Sequence, residues 1–507
     1  MQSRVAGRSG WLSWGAIAGL AAASAFAFVF VPMLPAVSFD DGTISTLAAA
    51  GLFFVLLCIV VGTAITQKVD SRRMIFRLAL TIWWMLLVDE VFFARVNTEF
   101  AIGKGQFSLS AYSEGGMWLL CGGVLFILTL RSPGYLRQLF KGSSKWVSLF
   151  VLLCLISIAW APGLKYATAW GFKLAMVVCL LQLCASLMED LSDIDLFLKV
   201  TAVAFLFLAV LPVYYATQDP DGFFFEGRLN ADPDLLSPLA ASLMVISMML
   251  YSITRKRQWV ATGIIGAVVM LLGFGKAGVV GGFLAAGIFM LLQRKVVRSL
   301  GLLLGLGGLA AFIISITPLG NYLHTYEGAS TLTGRTQIWQ NAIHAMRQSP
   351  ILGRGYLATY FSWENTSGLT QGAVHVHNGF IEVAYNNGAL GEILLLTIHF
   401  MMLRNIFSSI KTCKTLASLQ PTSRQAWHAY LLTIGCLALY VHTFLQGLLG
   451  GHFGGRCMSP YMLWLALAML TAVTRRMSEG LLQQATLARE PLFASALETF
   501  ELVPAHN

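Results

Sequence analysis

Met248-Met249-Leu250-Tyr251-Ser252-Ile253-Thr254-Arg255-Lys256-Arg257-Gln258-Trp259-Val260-Ala261 closes one apolar run, sets down three consecutive cations and opens a second run. The first run reaches back to residue 236 and the second continues to residue 274. Each is long enough to cross most of the roughly 30 Å of bilayer hydrocarbon as a helix. Span, basic turn, span is the unit from which the rest of the chain can be read.

Extending that reading outward gives candidate spans at 11–34, 45–66, 75–94, 116–130, 146–160, 167–188, 197–216, 236–253, 258–274, 277–293, 299–317, 388–405, 429–449 and 457–474. The fold class expected is therefore all-α: a polytopic integral membrane protein with about 12–14 transmembrane helices. Composition agrees, since 57% of the 507 residues are hydrophobic and only 11% charged, against about 25% charged in a soluble domain. The first run is longer than a signal-peptide core and lacks a convincing small-residue cleavage site, so it reads as a retained span.

Basic residues sort the loops into two sets. Lys68, Arg72 and Arg73; Arg131, Arg137, Lys141 and Lys145; Arg255 to Arg257; Arg294, Lys295 and Arg298; Arg404, Lys411, Lys414 and Arg424; and Arg475 with Arg476 fall on alternate connections. Short loops retained in the cytoplasm are enriched in Lys and Arg, which places these inside, with both termini. The opposite loops hold few cations, notably Arg228, Lys276, Arg335, Arg347, Arg354 and Arg456, and include one large hydrophilic loop, 318–378, expected to face out. The net charge of +10 is thus a topology signal that calls for no nucleic-acid partner. Most cysteines fall inside spans, which predicts neither a disulfide framework nor a zinc site.

No polar segment is long enough for a soluble nucleotide-sugar domain, and no strand-to-helix glycine fingerprint or P-loop accompanies the spans. Chemistry must come from the outward segments. Within 318–378, the stripe of Ile338, Ala342 and Met346 with Trp339 and Ile343 beside it predicts an amphipathic helix stopping before Pro350. It either lies along the membrane surface or packs on its neighbours. Gly353-Arg354-Gly355 reads as a turn, and Asn386-Asn387-Gly388 interrupts the helix that follows His377-Asn378.

Three outward segments carry groups suited to an anionic substrate. Arg228 sits among Asp219, Asp221, Glu226, Asp232 and Asp234, where it pairs with an acid or serves as a fork for phosphate. Arg335 opens the amphipathic helix, where the dipole disfavours a cation but free N–H groups plus Arg suit an anion. Lys276, in the short turn Gly273-Phe274-Gly275-Lys276-Ala277-Gly278, adds charge to the same face. His377 is the side chain best placed to take a proton near neutral pH, although a lone loop histidine is often structural. His375 beside it raises a metal reading, but no third ligand follows at a sensible spacing.

Arg228 before a span, Gly334-Arg335-Thr336-Gln337-Ile338-Trp339, Pro350-Ile351-Leu352-Gly353-Arg354-Gly355-Tyr356, and His377-Asn378-Gly379-Phe380-Ile381-Glu382 followed by Gly388 and Gly391 together resemble the O-antigen ligase and polymerase family. Within it they look most similar to the exopolysaccharide polymerases. The resemblance covers roughly residues 225–400, whereas the N-terminal third and the C-terminal tail carry no motif of that family. It divides the chain into N-terminal spans (1–224), a ligase/polymerase-like core with the outer loop (225–405), C-terminal spans (406–476) and a cytoplasmic tail (477–507).

What the resemblance implies is a bacterial inner-membrane glycosyltransferase with a polyprenyl-diphosphate-linked glycan as donor, a sugar or lipid-linked acceptor, and neither metal nor cofactor. His377, Arg335 and Arg228 are then the expected catalytic groups, with Lys276, Asn378, Trp339 and Arg354 binding substrate. Membrane lipids and proteins that set chain length or export the polymer are the expected partners. Two departures stand out: Lys276 occupies a place where relatives often carry an Arg near a Ser, and fourteen spans exceed the usual ten to twelve. Transfer to lipid A core or to protein, and transport of a lipid-linked oligosaccharide, remain the alternative functions.

Overall fold

The computed structural model describes residues 71–93, 109–130, 135, 139–218, 224–225, 228–229, 233–293, 335–362, 376–450 and 453–488, with isolated helical residues between 301 and 315. The expected spans at 11–34, 45–66 and most of 299–317 lie outside the described residues, as do His375 and the tail beyond 488.

The described chain is helical but for one two-residue hairpin. In order it forms α1 (Ser71–Phe93), α2 (Leu109–Leu130), α3 (Ser144–Ser157, continued by a 3₁₀ turn to Trp160), α4 (Leu164–Leu187) and α5 (Leu191–Gln218). Strands β1 (Phe224–Phe225) and β2 (Arg228–Leu229) pair antiparallel, and α6 (Pro233–Thr254), α7 (Gln258–Gly273) and α8 (Lys276–Leu292) follow. Within the large loop 318–378 lie α9 (Arg335–Met346) and α10 (Thr359–Ser362), and after it come α11 (Gly379–Leu419), α12 (Arg424–Gly450) and α13 (Ser459–Leu487).

Among the described residues, five helices are long and apolar enough to cross a membrane: Leu164–Leu187, Leu191–Tyr214, Asp234–Thr254, Gly379–Leu419 and Arg424–Gly450. The expected spans at 116–130, 146–160, 258–274 and 277–293 appear as shorter apolar helices. Large apolar side chains point outward along the bundle, with Phe126, Leu130, Ile393 and Phe400 all more than half exposed. In water such a belt would be a liability; against lipid it is the expected surface of a multi-pass membrane protein.

Inside, small residues let helices approach closely. α6 packs against α5, α7, α8 and α12. A Cβ added at Gly266 would lie 2.8 Å from the Ala240 carbonyl oxygen, and one at Gly278 would lie 2.3 Å from Ser237 Oγ. The glycines around Lys276 therefore seat α8 on α6, which explains them without a phosphate loop.

Two charges buried among the helices, Asp89 and Lys173, pair with each other. Lys173 Nζ lies 2.8 Å from Asp89 Oδ2, both side chains fully buried. Trp118 Nε1 donates to the same oxygen at 2.8 Å, and the ammonium lies 5.0 Å and 5.1 Å from the Trp118 and Trp170 ring centres. The pair ties α1, α2 and α4 together and is closed to solvent.

Candidate functional site

The segment around α9 is built on a lock between the Pro350–Gly355 turn and the break in α11. Gly388 has φ 65° and ψ −164° and breaks α11 one helical stretch after its start, as Asn386-Asn387-Gly388 suggested. The backbone groups freed by that break are taken up by the Pro350–Gly355 turn. Ala389 N–H donates to the Pro350 carbonyl at 2.9 Å, Arg354 N–H to Tyr385 at 3.0 Å and Gly355 N–H to Asn386 at 2.8 Å. A Cβ on Gly388 would lie 2.2 Å from the Ile351 carbonyl oxygen, so only glycine fits this crossing. The Arg354 guanidinium reinforces it, donating to Tyr385 Oη at 3.3 Å and to Gln348 Oε1.

On this lock rests α9, which ends at Met346 as its apolar stripe predicts. Ile338, Trp339, Ala342, Ala345 and Met346 pack with Ala358, Val376, Ile381 and Tyr385. Of the two readings of this helix, packing on neighbours is the one observed. Trp339 Nε1 donates to the Val376 carbonyl at 2.9 Å, pinning the backbone one residue before His377. On the other side, Asn378 caps α11, its Oδ1 accepting from Phe380 N–H at 3.0 Å and Ile381 N–H at 3.1 Å. Between these anchors His377 adopts φ 53°, a left-handed conformation in which histidine is among the few enriched non-glycine residues. Its ring is therefore aimed by structure on both sides.

What it is aimed at is Asp234, in the first turn of α6. His377 Nδ1 lies 3.4 Å from Asp234 Oδ2, and Arg335 Nη2 lies 3.9 Å from the same oxygen. Arg335 Nη1 donates to the Leu449 carbonyl, at the C-terminal and hence negative end of α12. The expected conflict between Arg335 and its own helix dipole is thus answered within the protein, by a carboxylate and a helix end. All three side chains stay partly accessible, at 22% for Arg335, 31% for Asp234 and 23% for His377.

The remaining predicted residues fall around this cluster. Ser237 Oγ, one turn along α6 from Asp234, donates to the Gly275 carbonyl at 3.2 Å, so Lys276 begins α8 at the same end of the bundle. Arg228 lies in β2, its backbone in register with Phe225 and five residues before α6 begins. Its side chain lies outside the described ones. Trp339, Asn378 and Arg354, read from the sequence as substrate-binding, each hold the scaffold through the bonds just given.

Sequence reasoning missed two parts. Asp234 was one acid among five near Arg228, and nothing local marks it out. The other is a shelf next to the start of α11: Arg456 lies 4.6 Å from the Tyr360 ring centre and 5.9 Å from that of Tyr166. Beneath it Glu382 Oε1 accepts from Thr359 Oγ1 at 3.3 Å. Burial, with the Glu382 carboxylate beside it, pushes the Tyr360 phenol up, so Arg456 meets a neutral ring. A Cβ on Gly379 would lie 2.8 Å from Phe453. The segment carrying Arg456 is therefore laid against Gly379 and Phe380, just after His377. The adjacent Gly-Phe and Ile-Glu of the histidine motif were the available signal.

Residues 237–396 match the family described as O-Antigen ligase. The matched segment opens three residues after Asp234 and contains Lys276, Arg335, Arg354 and His377. The chain is also similar to the Exopolysaccharide production protein ExoQ of Rhizobium meliloti (strain 1021), 26% identical over 413 residues that cover 76% of this chain and 88% of that protein. The likeness first seen in a few motifs therefore extends over most of the chain: residues 237–396 match the O-antigen ligase family, and the chain has distant homology to an exopolysaccharide production protein.

Proposed function

We propose that the protein is a membrane glycosyltransferase that polymerises polyprenyl-diphosphate-linked oligosaccharide repeat units into an exopolysaccharide on the outer face of the bacterial inner membrane. The observation that carries this reading is the convergence of Asp234 with Arg335 and His377, which lie more than a hundred residues further along the sequence, in one partly accessible cluster.

Asp234 faces Nδ1 of the imidazole at 3.4 Å, and Nε2 is the nitrogen assigned to take the acceptor proton. The acceptor hydroxyl oxygen bonds to the anomeric carbon of the donor glycan as the bond from that carbon to the diphosphate oxygen breaks. The hydroxyl proton goes to His377 and the electron pair leaves with the lipid diphosphate. That leaving group gains negative charge in the transition state, so pre-placed cations at Arg335, Arg228 and Lys276 act where charge develops. A single displacement with one base inverts the anomeric centre, and no second catalytic carboxylate is needed.

The shelf of Arg456, Tyr166 and Tyr360 supplies aromatic faces and a cation beside the base, a surface suited to a sugar. Transfer to lipid A core is the second reading, favoured by the description of the matched family. Incubating the purified protein with a lipid-linked repeat unit alone, and then with lipid A core added, separates the two. A ladder of longer lipid-linked glycans from donor alone is expected. Transfer seen only after the core is added would replace polymerase by ligase.

A further inference from the structure

The opposite end of the bundle holds a second charged site that glycan transfer does not use. A cavity of about 780 Å³ opens between α3, α11 and α13, and five cations line it: Lys141, Lys145, Arg404, Arg475 and Arg476. One carboxylate, Glu479, faces them and is held by Arg475 Nε at 2.7 Å. The excess of positive charge is large for a single cavity, and like charges gathered this way repel unless an anion joins them. On α11, Arg404 lies sixteen residues beyond the Gly388 break, about 24 Å along a helix. The cavity is therefore remote from His377.

Its framework is fixed. Arg475 Nη1 donates to Asn405 Oδ1 at 3.4 Å, and Asn405 Nδ2 donates to Ser143 Oγ at 3.2 Å. Arg476 Nη2 donates to the carbonyls of Ala185 and Met188, each at 3.0 Å. Lys141, Lys145 and Arg404 are exposed around this frame. The lining is also amphipathic, with Trp146, Met401, Met469 and Val473 below the charges. Lys145 Nζ sits 4.9 Å from the Trp146 ring centre, the aromatic-plus-cation pairing typical of a membrane interface. Phe400, on the same helix one turn from Arg404, is 65% exposed and belongs to the outward apolar belt. The cavity thus opens beside that belt, which continues past Arg404 with Phe407 at 58% exposure.

We propose that this cavity is a binding site for the phosphate headgroup of an anionic phospholipid. The lysines and Arg404 engage the phosphate oxygens, the arginines of α13 form the floor, and the apolar lining receives the first part of the acyl region. A soluble phosphate would need the cations but not Trp146, Met401 and Met469, which is why the lipid is the occupant favoured. The inference is independent of the glycan chemistry at the other end.

The test uses full-length protein purified in detergent and titrated with dioleoyl phosphatidylglycerol or dioleoyl phosphatidylcholine, with bound lipid counted by native mass spectrometry. Phosphatidylglycerol should be retained in preference. The triple variant Lys141→Gln, Lys145→Gln, Arg404→Gln should bind it at least about tenfold more weakly, with an unfolding midpoint in phosphatidylcholine equal to wild type. Lys145→Glu alone serves as the second variant should the triple one fail to fold, and it should show the same loss of preference in smaller measure. Equal retention of both lipids by wild type, or undiminished phosphatidylglycerol binding by both variants, would overturn the proposal. So would saturable protection by inorganic phosphate that the variants abolish, which would assign the cavity to a soluble anion.

Discussion

Two aspartates in this protein each meet a nitrogen cation or base, and the contrast between them separates scaffold from site. Asp89 meets Lys173 at 2.8 Å with both side chains fully buried and two tryptophan rings closing the space around the ammonium. Asp234 meets His377 at 3.4 Å and Arg335 at 3.9 Å, with every partner part-accessible. A buried pair neutralises itself and excludes water, which makes it a fastener. An open cluster with longer spacings leaves room for a further reactant, and its carboxylate orients two groups without consuming either.

The comparison breaks most sharply at His377. His377→Ala should lower turnover by about 10²–10⁴-fold while leaving membrane insertion and thermal unfolding unchanged, since a general base is worth that much in rate. Glycan ladder formation together with an unfolding curve checks both halves. At the closed pair the effect should fall on stability instead. Lys173→Met strands a buried carboxylate and should cost about 3–5 kcal/mol, read as a lowered unfolding midpoint, and adding Asp89→Leu should recover most of it. Were the double variant no more stable than the single one, the pair would not be a self-contained fastener.

Gly388→Ala asks whether the lock under the site carries strain of its own. A methyl group 2.2 Å from the Ile351 carbonyl, at φ 65°, must displace the Pro350–Gly355 turn. A loss of about 1–3 kcal/mol is expected, with activity falling in parallel because α9 and His377 ride on that turn. Trp339→Phe is the mildest change. It removes the single hydrogen bond to Val376 and should cost about 1 kcal/mol, with a small loss of turnover. A large loss of turnover without a stability change would move Trp339 from the scaffold to the substrate.

Much of this was legible in the sequence because it is local. Apolar runs bounded by basic turns gave the helices from α1 to α8 and from α11 to α13. The stripe of Ile338, Ala342 and Met346 gave α9, and Asn386-Asn387-Gly388 gave the break in α11. Trp339 and Asn378 bond backbone groups and Arg354 bonds the side chains of Tyr385 and Gln348, partners hidden in the sequence because they depend on what tertiary packing sets opposite each side chain. Asp234 was illegible for the same reason. Its role exists only where α6, α9 and the start of α11 meet, and an acid in the first turn of a helix already has a sufficient local explanation in the dipole. The Arg456 shelf likewise joins the segments at residues 166, 360, 382 and 456, which no single window of sequence contains.

The most direct test of the account sets three proteins side by side on one lipid-linked repeat unit: wild type, His377→Ala, and Asp89→Leu with Lys173→Met. The account predicts a glycan ladder from wild type and from the variant lacking the buried pair, and intact donor from His377→Ala. A full ladder from His377→Ala would contradict it and remove the base from the proposed mechanism.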